Sequence, residues 1–167
     1  MADWRIAPLT ATRVTELAAC HIASWREAYG TLVPAHILDG FDLERSALTW
    51  ERRRADGIHQ LPVALVGDQL IGFASGTNSS VLGRQPGRSA SAEEAELEAL
   101  YVRSAWHGTG IADSLIEAAA PASPCTLWVF ADYPRAHAFY RRHGFTDTGI
   151  RRTDPFTLLP EQLWRRD

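Results

Sequence analysis

Two stretches of the sequence combine residue types and spacings that can do chemistry. The first reads Trp106-His107-Gly108-Thr109-Gly110-Ile111-Ala112-Asp113 and runs at once into an apolar helical pattern. A tight turn that opens a helix is an anion site. The first N–H groups of the helix have no intrahelical partner, the helix dipole favours negative charge there, and residues without a Cβ let a phosphate approach the main chain. The same two glycines serve a purely structural β–α turn equally well. The pattern G-x-x-x-x-G-K-[ST] is absent and G-x-G is not completed to G-x-G-x-x-G, which argues against a nucleoside triphosphate or dinucleotide. The second stretch is Glu96-Leu97-Glu98, whose two carboxylates share one face if the segment is a strand.

The elements that must position these groups follow from periodicity, caps and breakers. Residues 4–9 read as a short strand, and residues 13–29 as an amphipathic helix with Thr12 as a candidate N-cap. A short helical piece starts at Pro34, and residues 43–55 form another helix after Asp42. Residues 61–66 and 69–77, joined by Gly67-Asp68, read as a β-hairpin. Residues 78–92 are rich in Ser, Gly, Arg and Pro and have no periodicity, so they are expected to be a mobile surface loop. Next comes the strand Glu94–Val102, on which alternation puts Leu97, Ala99 and Tyr101 on one side and Glu96, Glu98, Leu100 and Val102 on the other. The glycine turn then leads into a helix to about Ala120, stopped by Pro121 and Pro124. Residues 125–130 are a strand, residues 134–143 a helix closed by Gly144, and the tail holds two further strands around Pro155 to Pro160. No internal repeat is present.

Composition bounds the partners. The chain has 167 residues, 46% hydrophobic and 22% charged, the values of one ordinary globular domain spanning residues 1–167. A net charge of −3 gives no general attraction to nucleic acid or acidic membranes. All 17 basic residues are arginine, which excludes a catalytic lysine. Cys20 and Cys125 are far apart in sequence and read as buried reduced thiols. The six histidines show no H-x-x-x-H or Cys–His spacing, so no metal is expected. No signal peptide or membrane span is visible, so a cytoplasmic location is expected and the sequon Asn78-Ser79-Ser80 is read as chance.

The segments "LYVRSAWHGTGIADSL" and "LWVFADYPRAHAFYRRHGF" together resemble the GNAT superfamily of N-acetyltransferases. In that superfamily a strand ending like Leu-Tyr-Val leads to an [Arg/Gln]-x-x-Gly-x-[Gly/Ala] turn and a helix, found here as His107 to Ala112. A later helix start like Asn-Pro-x-Ala and a Phe-Tyr-x-x-x-Gly-Phe run are found here as Tyr133-Pro134-Arg135-Ala136 and Phe139 to Phe145. "HIASWREAYGTLVPAHILDG" and "VALVGDQLIGFASG" resemble the entrance helices and central hairpin of bacterial members, so nearly the whole chain is covered. Two positions depart from the pattern: His107 stands for Arg or Gln, and Tyr133 for Asn.

The resemblance implies a single-domain α/β (α+β) fold. Its mixed sheet of about six to seven strands is splayed between the fourth and fifth, with about four flanking helices. It implies acetyl-CoA as cosubstrate and transfer of its acetyl group to a primary amine of a small molecule, by direct attack in a ternary complex. A protein or peptide acceptor, and a non-catalytic acyl-CoA-binding regulatory domain, stay open, as does a homodimer. The amides of His107, Gly108, Thr109, Gly110, Ile111, Ala112 and Asp113 are expected around the pyrophosphate. Leu100, Tyr101 and Val102 are expected along the pantetheine arm, with the Leu100 N–H polarising the thioester carbonyl. Tyr133, Arg135, Ala136 and Phe139 complete the cofactor side. Glu96 or Glu98 is the candidate base for the amine, the resemblance placing the family's common strand glutamate nearer Glu96, and Tyr140 is the candidate acid for the leaving thiolate. Trp25, Tyr29 and Trp128 are candidates for the acceptor pocket, where aromatic faces suit a cation or a flat ring. Each aromatic residue, Tyr140 included, also reads as core packing, and each glutamate as a solvated strand face or an Arg partner.

Overall fold

The computed structural model describes residues 3–77, 94–121 and 123–167. The expected loop 78–92, with its sequon, lies outside the described residues. Among the described residues there are eight strands: β1 Trp4–Pro8, β2 His59–Gln60, β3 Pro62–Val66, β4 Gln69–Thr77, β5 Ala95–Val102, β6 Cys125–Phe130, β7 Thr146–Thr153 and β8 Pro160–Arg166. Five α-helices among the same residues join them: α1 Val14–Tyr29, α2 Ala35–Leu38, α3 Leu43–Ala55, α4 Ile111–Ala119 and α5 Pro134–Arg142. The sheet order is β1-β3-β4-β5-β6-β8-β7, with the two-residue β2 added on β4. Every pairing is antiparallel except β5 with β6. This is the mixed α/β fold that the resemblance implies, with β2 as an addition.

Each face of the sheet carries its own core. Leu17, Ala18, Trp50, Val63, Leu65 and Phe73 pack under α1 and α3 on one face. Ile71, Ala74, Leu97, Leu115, Leu127 and Trp164 pack under α4 and α5 on the other. Phe73 and Phe145 are fully buried, and each side chain of that kind contributes about 1.5–3 kcal/mol on transfer from water. α3 buries little besides Trp50, so its own capping matters. Asp42 Oδ1 accepts the Arg45 N–H at 2.7 Å, and Arg52, Arg53 and Arg54 fill the last turn, where positive charge complements the dipole. Asp42→Ala is expected to cost about 1 kcal/mol, read as a lower denaturant midpoint with unchanged m-value; an unaltered midpoint would show that Trp50 alone holds the helix.

Two features of β5 decide where the functional groups point. The first is a bulge. Ser75 pairs with Ala99 and Gly76 with Leu97, so Glu98 is an extra residue. The alternation expected from the sequence is therefore corrected. Ala95 and Leu97 face α4, and beyond the bulge Leu100 and Val102 take that side while Ala99 and Tyr101 face α1 and α3. Glu96 and Glu98 share the α1/α3 face, but without Leu100 and Val102. The second feature is the splay. β5 pairs with β6 only at Ala95–Cys125 and Glu96–Thr126, whereas β6 pairs with β8 along its whole length. These are the two strands expected to diverge, now fifth and sixth because β2 precedes them.

Candidate active site

Among the described residues, the splay leaves backbone groups of β5 without a strand to pair with. The Arg103 N–H donates to Ile71 O at 2.9 Å. In an antiparallel ladder this makes Val102 and Leu100 members of non-hydrogen-bonded pairs, facing Gly72 and Ala74. Their N–H and C=O groups therefore point away from β4, into the gap where β6 has diverged. Tyr101 lies in the intervening hydrogen-bonded pair with Phe73. Its side chain joins the α1/α3 face, its hydroxyl sits 3.5 Å from that of Tyr29, and burial pushes its phenol up to about 12.

The glycine turn sits at the end of the same strand. Gly108 and Gly110 have φ of +75° and +87°, a region that a Cβ disfavours, and Gly110 is the N-cap of α4. The Thr109 hydroxyl donates to Trp106 O at 2.6 Å, and His107 Nε2 donates to Val102 O at 2.9 Å. The imidazole thus ties the turn back to β5. The first turn of α4 offers the N–H groups of Ile111, Ala112 and Asp113, as every helix start does. Their side chains differ in role. Ile111 is in the core at 1% exposure, and Asp113 is bound by Arg142 at 2.9 Å and His143 at 2.7 Å. Those bonds hold the Asp113 carboxyl below its usual range and join α4 to α5.

One cavity of about 500 Å³ begins at His107 and Ala112, follows Leu100, Tyr101 and Val102 through the splay, and continues past Glu96 and Glu98. Tyr133, Arg135, Ala136, Phe139 and Tyr140 form its α5 wall. Trp25, Tyr29 and Trp128 line it on the α1/α3 side of the sheet. The structure thus brings the expected side chains around one space, except those of Thr109, Ile111 and Asp113. Gly108 and Gly110 lie in the turn between the lining residues His107 and Ala112 and do not themselves line it. Tyr140 packs its ring against Phe139 and Phe145 at 5.4 and 5.9 Å, and burial pushes its phenol well above the ordinary range. The phenol therefore keeps its proton.

The aromatic end is larger than the sequence suggests. Trp25 and Tyr29 meet edge-to-face at 4.9 Å, and Phe41, Phe130 and Phe156 add rings within 6.4 Å of Trp25. Trp128 carries the Arg152 guanidinium 4.0 Å above its ring, and Arg152 in turn binds Glu161 at 2.6 Å. His21 is packed among Trp25, Phe41, Trp50, Phe73 and Tyr101, and burial with the nearby Arg53 lowers it to about 4, so it is neutral.

The two glutamates occupy different settings. Glu96 lies where β5 and β6 are still paired, and its N–H donates to Thr77 Oγ1 at 3.1 Å. Glu98 lies at the bulge, where the strands part. Its Oε2 receives His59 Nε2 at 3.0 Å, Ser75 Oγ at 3.3 Å and Arg53 at 3.5 Å. His59 Nδ1 reaches Asp56 Oδ2 at 2.8 Å. Burial opposes ionisation of Glu98, but the bond from His59 and the charges of Arg53 and His59 outweigh it and hold its carboxyl below the usual range. His59 is raised in return, chiefly by its bond to Glu98. The sequence reading missed Asp56, His59 and Arg53. Arg53 and His59 reach Glu98, and Asp56 reaches His59, only because the end of α3 and the pairing of β2 with β4 bring them beside the bulge. Among the described residues, no group of three or more His, Cys, Asp or Glu side chains is placed to hold a metal ion, and no helix is long and apolar enough to cross a membrane.

Solved structures with this arrangement span almost the same length. The chain is 16% identical to the PaiA N-acetyltransferase of Thermoplasma acidophilum, crystallised with coenzyme A, at a TM-score of 0.71 over 99% of both chains. It is 23% identical to a ribosomal-protein-alanine N-acetyltransferase of Brucella melitensis, at 0.70 over 97% of this chain and 98% of that one. An acetyltransferase of Thermus thermophilus gives 20% identity and 0.66 over 99% of each. No curated protein matches the sequence. The sequence profile of the Acetyltransferase (GNAT) family matches residues 19–145, most of the chain. With the splayed strands and the glycine turn, this places the chain in the GNAT acetyltransferase family.

Proposed function

We propose that the protein transfers an acetyl group from acetyl-CoA to the primary amine of a small molecule, by direct attack while both are bound. The observation that carries this reading is the continuity of the cavity. It runs from His107 and Ala112, which flank the glycine turn, along Leu100 and Val102 to Tyr140, the two glutamates and an aromatic chamber. The residues present fit the cosubstrate. Left-handed Gly108 and Gly110 bare the amides at the α4 N-terminus for a pyrophosphate, and Arg135 adds a positive charge to the same cavity. The outward amides of Leu100 and Val102 suit an amide-bearing arm that pairs as an added strand would.

The chain's own groups then divide the work. The Leu100 N–H donates to the acyl oxygen. Glu98 takes the proton that an alkyl ammonium of pKa about 10 must lose, directly or through water. Tyr140, protonated throughout the neutral range, donates to the departing sulfur. Rings from α1, β6 and the β7–β8 loop line the acceptor end, which favours a small molecule. The name of the Brucella melitensis protein favours a peptide as the second reading. Mass spectrometry of products from a panel of small amines and alanine-ended peptides decides between them. Acetylated small amines are expected, and acetylation of peptides alone would replace this reading by the second.

The cosubstrate site has its own test. Gly110→Ala and Gly110→Glu carry the same backbone strain, but only the latter puts a carboxylate at the anion site. Both are expected to lower the melting temperature of the free protein. Acetyl-CoA should still raise it in the alanine variant and not in the glutamate variant. An equal shift in both would move the pyrophosphate away from this turn.

A further inference from the structure

Glu98 is bonded asymmetrically. All of its donors converge on Oε2: His59 at 3.0 Å, Ser75 at 3.3 Å and Arg53 at 3.5 Å. No donor among the described residues is placed on Oε1, although Glu98 lines both the main cavity and a smaller one of about 240 Å³ beneath α1 and α3. The side chain is 25% exposed, so the carboxylate is partly withdrawn from water with one oxygen left for a visitor. His59 is more enclosed, at 13%, and its two nitrogens reach two carboxylates, Glu98 and Asp56. With a carboxylate oxygen 2.8 and 3.0 Å from its two nitrogens, the ring is best matched as an imidazolium, the form that can donate from both. Other polar groups near it are Arg53 on α3, Thr77 opposite it on β4, and Glu96 on the same face of β5.

We propose that His59 is a positioning residue for the acceptor. Held as a cation between Asp56 and Glu98, it fixes Oε2, keeps Glu98 ionised and presents Oε1 to an acceptor that enters as an ammonium ion. Asp56 orients the ring and offsets its charge. This gives the two-residue strand β2 a purpose, since its pairing with β4 sets His59 over the bulge. It also names the acceptor class: a cationic amine whose body is received by aromatic rings, where ring faces add to the attraction for its charge. The inference rests on the acyl-transfer reading.

The test is His59→Gln, whose side-chain amide can still donate to Glu98 but carries no charge. Steady-state kinetics are measured with the best amine of the panel, together with acetyl-CoA KM, the pH profile of kcat/KM and the melting temperature. The expected result is a rise of about tenfold in amine KM with acetyl-CoA KM unchanged. The acidic limb should move up by about one pH unit, because removing a cation beside a carboxylate lets its pKa rise. Asp56→Asn should move both quantities the same way by less. A variant with wild-type amine KM and an unmoved limb overturns the proposal, whatever its melting temperature, since a merely structural histidine would alter stability alone. If the wild-type protein acetylates no amine at all, the acyl-transfer reading fails and takes this inference with it. If it acetylates amines and His59→Gln behaves as wild type, only the inference fails.

Discussion

Tyr140→Phe is expected to lower kcat by roughly 10²-fold while leaving acetyl-CoA affinity near its wild-type value. The substitution keeps the ring that packs on Phe139 and Phe145 and removes only the hydroxyl. Because burial raises the phenol pKa, its protonated form persists to higher pH than that of a free tyrosine. Its ionisation should therefore not limit the wild-type rate below about pH 10. A tyrosine that serves only the core would instead lose about 1 kcal/mol if a buried hydrogen bond were broken, with little kinetic change. Measuring kcat, acetyl-CoA Kd and melting temperature on one variant separates these outcomes. A normal kcat would remove Tyr140 from the chemistry whatever happened to stability.

The second large effect is expected at the bulge. Glu98→Gln should lower kcat/KM by roughly 10³-fold, within the range for losing a positioned proton acceptor. Held below its usual range, Glu98 would be a weak base, so in the proposed role it would hand the proton on to water rather than store it. Glu96→Gln should cost much less, because Glu96 sits where β5 and β6 are still joined and Glu98 where they part. The comparison is made under kcat/KM conditions at one pH with the same amine. A larger loss from Glu96→Gln would transfer the base to that residue and leave Glu98 a structural anchor for His59.

The contrast between the two glutamates also marks where sequence reading stops. Elements with strong local signals were legible: α3 starts after its Asp42 cap and runs over the expected 43–55, and β6 covers the expected 125–130. The tight glycine turn opening α4 was legible because its signal is local, with Gly108 and Gly110 both left-handed as a tight turn requires. The bulge was not, since one extra residue in Glu96-Leu97-Glu98 leaves no glycine or proline to announce it, yet it turns every later side chain of β5 to the other face. The clamp on Glu98 was not legible either. His59 and Glu98 are separated in sequence by the whole of β3, the whole of β4 and residues 78–94, and only pairing across the sheet brings them to 3.0 Å. Trp25 and Tyr29 stand one helix turn apart in the sequence, which makes them pocket candidates, but Phe130 and Phe156, which pack on Trp25, come from the distant β6 and β7–β8 segments.

Amine-dependent release of the CoA thiol tests the account most directly. Purified protein is mixed with acetyl-CoA, and free thiol is followed with and without a panel of small cationic amines bearing an apolar or aromatic body. The account predicts release that requires one of these amines, saturates with it, and yields one thiol per acetylated product. Saturable binding of acetyl-CoA with no amine-dependent release from any small amine or peptide would contradict it and leave an acyl-CoA-binding domain in its place.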